Sequence, residues 1–273
     1  QTDGLTRLST VALRDLKIEM FSGNKRHSLL ELSGQYRLTK NTADLKGKFQ
    51  ISPVFLLKKC KFPFAEKLKE NMKMDAADEL WTGETKIRAD LNRNTISMQG
   101  RSHIPTDIFP DIKLADKNIS VNFNTDLEIG GENFTARIKT LTLNVPDRIG
   151  AKLSGSVQLP DFVADLDLKT EKMTAQTFRE LRDLFDYRTT FHTRLLENLE
   201  YETLSSAMKI RWDKQNRFLY VDDAHATFHF GKDRSGSVSL DYPLIVDLNS
   251  GKMASTDLKI TMQDLPFRVA NYF

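Results

Sequence analysis

Apolar side chains recur at every second position over most of this chain, and a period of two means an extended strand with one dry face and one wet face. Leu30, Leu32, Gly34, Tyr36 and Leu38 alternate with Glu31, Ser33, Gln35 and Arg37. Ala43, Leu45, Gly47, Phe49 and Ile51 alternate with Asp44, Lys46, Lys48 and Gln50, and Thr39 to Thr42 supplies the turn between the two runs. Val121, Phe123, Leu127 and Ile129 lead through Gly130-Gly131 into Phe134, Ala136 and Ile138, which predicts an antiparallel hairpin on a tight glycine turn.

Further strands are expected at Leu153 to Leu159, Phe162 to Lys169, Ala207 to Trp212, Phe218 to Phe230, Gly236 to Tyr242 and Ser255 to Met262. About a dozen short strands at regular spacing indicate a mainly β chain with an antiparallel sheet, groove-like or sandwich-like, rather than alternating βαβ units. Helical pattern is scarce. Thr174 caps a stripe of Phe178, Leu181, Leu184 and Phe185, with a continuation through Leu195, Leu196 and Leu199, so an amphipathic helix is expected near 174–200. A shorter amphipathic piece spans Phe64 to Met74, and the residues after Pro266 start another. Pro105 and Pro110 make 105–117 a connection between an N-terminal β segment, 1–104, and a C-terminal one, 118–273, unless the two form one continuous domain. Asp165-Leu166-Asp167-Leu168 before Phe178-Arg179 is echoed by Asp257-Leu258-Lys259-Ile260 before Phe267-Arg268.

Composition excludes several classes of function. The 40 Lys and Arg are interspersed with 37 Asp and Glu, leaving +3 with no basic patch of the kind that tracks phosphates, so nucleic acid is not an expected partner. One cysteine, Cys60, allows no intrachain disulfide. No run reaches the roughly 18 apolar residues of a membrane span, and Gln1 to Thr10 lacks the apolar core of a signal peptide. Opening on Gln and closing on Asn271-Tyr272-Phe273, the sequence reads as a soluble piece of something longer, with any anchor lying outside it.

Candidate chemistry is thin. His225 and His229 are four apart, but on a strand at ~3.3 Å per residue they stand roughly 13 Å from each other, too far to share one metal ion. No nucleophile elbow, phosphate loop or dinucleotide fingerprint occurs, and no cofactor is expected. Cys60, between Lys59 and Lys61 and beside Leu56, Leu57 and Phe62, reads as a packed residue. Asp165 with Asp167 are outward residues of a strand, and Asp222 with Asp223 begin a bend, so neither pair reads as an acid and base couple. Asn118-Ile119-Ser120 and Asn133-Phe134-Thr135 fit the glycosylation acceptor pattern. Lys58, Lys59 and Lys61 beside Phe62, Pro63 and Phe64 suit an anionic lipid surface or an acidic partner, and equally a lysine-fringed edge strand.

What remains is the apolar sheet face. A dozen half-apolar strands with few helices must stack two sheets, close a barrel, or leave a groove for another molecule. Alternation places Phe162, Leu166, Leu168, Phe228, Phe230, Leu258, Ile260 and Met262 on that face as the candidate lipid-facing residues.

The chain resembles the AsmA-like superfamily of Gram-negative envelope proteins. The resemblance rests on Leu13-Arg14-Asp15-Leu16-Lys17-Ile18 before Leu30-Glu31-Leu32-Ser33-Gly34, on Leu153-Ser154-Gly155-Ser156-Val157-Gln158-Leu159-Pro160-Asp161-Phe162 running into Asp165-Leu166-Asp167-Leu168, and on Asp264-Leu265-Pro266-Phe267. It implies an inner-membrane anchor, a periplasmic β-sheet groove with an apolar interior, and phospholipid carried toward the outer membrane, with no catalytic residues. This chain lacks the anchor and is too short to span a periplasm. The expectation is therefore a non-enzymatic periplasmic segment that binds or conducts phospholipid, with a membrane surface or envelope proteins as further partners. The alternative is a secreted or surface β-sandwich for protein or glycan attachment.

Overall fold

The computed structural model describes residues 9–22, 25–53, 80–105, 118–131, 133–159, 163–184, 201–213, 218–247, 252–254 and 259–265. Its strands are β1 (Thr10–Ser22), β2 (Lys25–Arg37), β3 (Thr42–Ile51), β4 (Trp81–Asp90), β5 (Thr95–Pro105), β6 (Asn118–Gly130), β7 (Asn133–Val145), β8 (Ile149–Leu159) and β9 (Val163–Met173). One helix, α1 (Ala175–Leu184), precedes β10 (Thr203–Asp213), β11 (Phe218–His229), β12 (Ser235–Leu240), β13 (Leu244–Asp247), β14 (Lys252–Met253) and β15 (Ile260–Gln263). All join one 15-stranded sheet in which β1 to β12 pair in chain order, β15 follows β12, and β13 with β14 branch from β11.

Every pairing is antiparallel. The sheet does not close into a barrel. Among the described residues there is no second sheet to form a sandwich, so of the three ways to treat an apolar face, the open sheet is the one observed. The expected connection does not divide it: β5 and β6 pair from Pro105 with Asn118 to Thr95 with Glu128 across 106–117.

Short turns explain the meander. Asn41, Asn94 and Asp147 have φ of 52°, 52° and 55° at the β2–β3, β4–β5 and β7–β8 turns, a conformation that Asn and Asp tolerate better than most residues. Gly131, at φ 61°, makes the expected glycine turn between β6 and β7. The predicted helix begins where its cap was placed: the Thr174 hydroxyl accepts a hydrogen bond from the Thr177 amide at 3.1 Å, and the Phe178 amide donates to the Thr174 carbonyl at 3.0 Å. The expected pieces at 64–74, 195–199 and beyond Pro266 lie outside the described residues, as does most of the echo segment around Leu258.

Four of the five register shifts between paired strands keep the faces in phase. In β1, β9 and β11 the chain carries one residue more than its partner, and the extra position holds Asp15, Lys172 or Asp223 at φ 52°, 57° or 48°. β7 gains its extra residue around Lys139 and Thr140. Each insertion turns an apolar spacing of three, as in Leu13 to Leu16 or Ile138 to Leu141, back onto one face. Without the bulge, every later side chain of the strand would flip to the wrong side.

Candidate functional site: an open apolar sheet face

Register aligns the apolar positions into rows that cross the sheet. One row runs Val11, Tyr36, Ala43, Ala89, Ile96, Leu127, Ala136, Val157, Ala164, Trp212, Leu219 and Val246 to Met253 without a charged side chain. The next row runs Leu13, Gly34, Leu45, Ile87, Met98, Thr125, Ile138, Gly155, Leu166, Ile210, Val221 and Leu244. At ~4.8 Å per strand, the thirteen-member row extends roughly 58 Å along the sheet. Most of these side chains are partly exposed, since the rows shield one another while the described residues place no second sheet over them.

Two aromatic rings lie low on this face because glycine lies beneath them. A Cβ at Gly83 would come within 2.5 Å of the Phe49 ring, and one at Gly100 within 2.6 Å of the Phe123 ring. Phe49 and Phe123 therefore lean toward each other over the strands between them, with centroids 6.3 Å apart.

One end of the face is closed by packing. Met173, Tyr201, Leu204 and Phe228 form a buried cluster, with Phe178 of α1, Phe230, Ala226, Val238 and Leu265 against it. Tyr201 meets Phe228 edge to face at 5.4 Å, and Phe228 stacks on Phe230 at 6.4 Å. Burial pushes the Tyr201 phenol up to about 12, and its hydroxyl has no hydrogen-bond partner among the described residues.

The opposite face is charged and internally neutralised. Lys17, Glu31, Lys48, Glu84 and Arg101 stand in one row with alternating sign. Lys17 pairs Glu31 at 3.1 Å, Arg101 pairs Glu84 at 3.4 Å, and Lys139 pairs Asp126 at 2.6 Å. The hydrogen bond from Lys139 holds the Asp126 carboxyl below the usual carboxylate range. Two open depressions, of about 1140 and 790 Å³, lie along β1–β7, lined mainly by charged-face residues such as Lys17, Glu31, Lys46 and Glu84, with apolar-face residues such as Phe123 and Met98 also contributing. Their walls mix both signs, so they offer no concentrated field for an anion or a cation, and the apolar rows are the stronger candidate.

The candidate residues divide accordingly. Leu166 and Leu168 of β9 and Ile260 and Met262 of β15 lie in the apolar rows and are partly exposed. Phe228 is a correction: it is wholly buried at the closed end, where the Tyr201 ring meets it and Phe178 of α1 packs against the same cluster. Phe230 packs against the same cluster. Phe162 and Leu258 lie outside the described residues, with Cys60 and the Lys58, Lys59, Lys61 group.

Asp222 and Asp223 are engaged as salt bridges. Asp222 binds Arg211 at 2.8 Å and Asp223 binds Lys209 at 2.5 Å, the second holding the Asp223 carboxyl below its ordinary range. Asp165 and Asp167 stand opposite Arg211 and Lys209. His225 and His229 share β11, and no cluster of metal-ligating side chains occurs among the described residues. No described helix is long and apolar enough to cross a membrane.

Sequence reading passed over the rows contributed by β4 and β5. Gly83, Thr85, Gly100 and Ser102 occupy apolar-face positions there and do not read as hydrophobic, although the low hydropathy of a strand between two Phe-bearing neighbours was the available signal. No protein-family model matches this chain, and neither a curated protein nor a solved structure matches it.

Proposed function

We propose that this chain is a non-enzymatic envelope segment that binds or conducts phospholipid, with acyl chains lying along the open apolar face and head groups left in water. The observation that carries the reading is the uncharged row from Val11 to Met253, most of whose members from Val11 to Val246 are partly exposed across the sheet. A hydrocarbon tail on such rows gains about 0.8 kcal/mol for each methylene withdrawn from water, while the ion-paired opposite face keeps the sheet hydrated. The bulges support the same reading, since four insertions are placed where they preserve the continuity of one face. The periplasmic setting and the inner-membrane anchor rest on the AsmA-like resemblance of Leu13 to Ile18, Leu153 to Phe162 and Asp264 to Phe267.

Native mass spectrometry of protein purified without detergent tests this directly. The expected result is a phospholipid adduct that falls when Met98→Asp and Leu166→Asp place charges in the central rows. A bare protein mass after incubation with phosphatidylethanolamine and phosphatidylglycerol vesicles overturns the proposal and favours an attachment domain.

A further inference from the structure

The apolar face does not fade at β1. Leu16, Ile18 and Met20 are 43%, 50% and 47% exposed, and among the described residues no strand pairs with the outer edge of β1. Proteins blunt such edges with proline, with charges turned toward the dry face, or with bulges. β1 has no proline, and its two irregularities, between Leu13 and Leu16 and between Met20 and Phe21, bracket a regular stretch from Leu16 to Met20.

That stretch is complementary to itself. Laid antiparallel on a second copy about a two-fold axis through Ile18, it sets Ile18 against Ile18 and Leu16 against Met20 on the apolar side. On the charged side it sets Lys17 of each copy against Glu19 of the other. Directly opposed residues of an antiparallel pair share a face, so Leu16, Ile18 and Met20 continue the apolar side from one copy into the next, and Glu19 of the other copy extends the Glu31–Lys17 alternation of sign by one residue. A shift of one residue would set Lys17 against Ile18 and lose both matches.

We infer that β1 is an isologous docking edge at which two copies of this chain join their sheets into one, with Leu16 to Met20 as the paired segment. The interface is small and held mainly by backbone hydrogen bonds, which implies a reversible dimer at high micromolar concentration. It stands or fails independently of what the apolar face carries.

Sedimentation velocity over micromolar to near-millimolar concentration should show a monomer–dimer equilibrium. Lys17→Glu or Glu19→Lys alone, each opposing like charges twice across the axis, weakens dimerisation about tenfold. The double variant Lys17→Glu, Glu19→Lys restores most of it, which no simple loss of fold would do. In a Cys60→Ser background, Ile18→Cys forms an intermolecular disulfide under mild oxidation and Val11→Cys does not. A strictly monomeric wild type overturns the inference, as do a dimer that the double variant fails to recover, equal cross-linking through Val11→Cys, and occupation of the edge by a different protein.

Discussion

Tyr201 shows how one side chain can be both a packing asset and a polar cost. Its ring closes over Phe228, yet its hydroxyl is buried with no hydrogen-bond partner among the described residues. Tyr201→Phe keeps the ring and removes the unpaired group, so thermal denaturation should show a gain of about 1 kcal/mol. The pH dependence follows from the same burial. The folded phenol titrates at about 12, above the ordinary value of 10.0. Below pH 10 both states hold the proton and nothing changes. As pH rises from there toward 12 the unfolded chain ionises first, so stability is lost with rising pH. Alkaline unfolding followed by circular dichroism should therefore be shallower for Tyr201→Phe over that window. Phe228 is the residue at which sequence reasoning went furthest astray, because alternation reports a face and is silent about what packs onto it.

At the scale of elements, α1 and the bulges differ in how they could be read. Thr174 before a period of three to four was enough to locate the helix, since a cap is a local contact between residues three apart. Thr174→Ala leaves the Thr177 amide without that acceptor and should lower stability by about 1 kcal/mol, read as a shift in melting temperature. The hairpin turns at Asn41 and Gly131 were legible for the same reason. The bulges were only half visible. Leu13-Arg14-Asp15-Leu16 and Val221-Asp222-Asp223-Ala224 show a broken period, and Asp222 and Asp223 had suggested a bend. That the break restores one face becomes evident only against Gly34 and Leu32, or Ala207 and Lys209, on the partner strands.

Across the whole molecule, substantial contacts join each strand to its sheet neighbours, as in a repeat array whose stability is a sum of neighbour terms. Hydrogen exchange should accordingly be graded, with β1 amides exchanging fastest and β6 to β9 slowest, and uniform protection would contradict this picture. The amino-acid sequence by itself determined the strand period, the antiparallel turns, the helix start and the wet and dry faces, because each depends on residues within a few positions of one another. Only the tertiary structure decided that β4 and β5 belong to the sheet, that no described strand pairs with the outer edge of β1, and that Phe228 is sealed while Leu166 is not. Gly83 and Gly100 look like poor strand residues until the rings of Phe49 and Phe123, brought from other strands, lie over them. Whether an apolar side chain is covered depends on long-range packing, a property that no local pattern of residues carries.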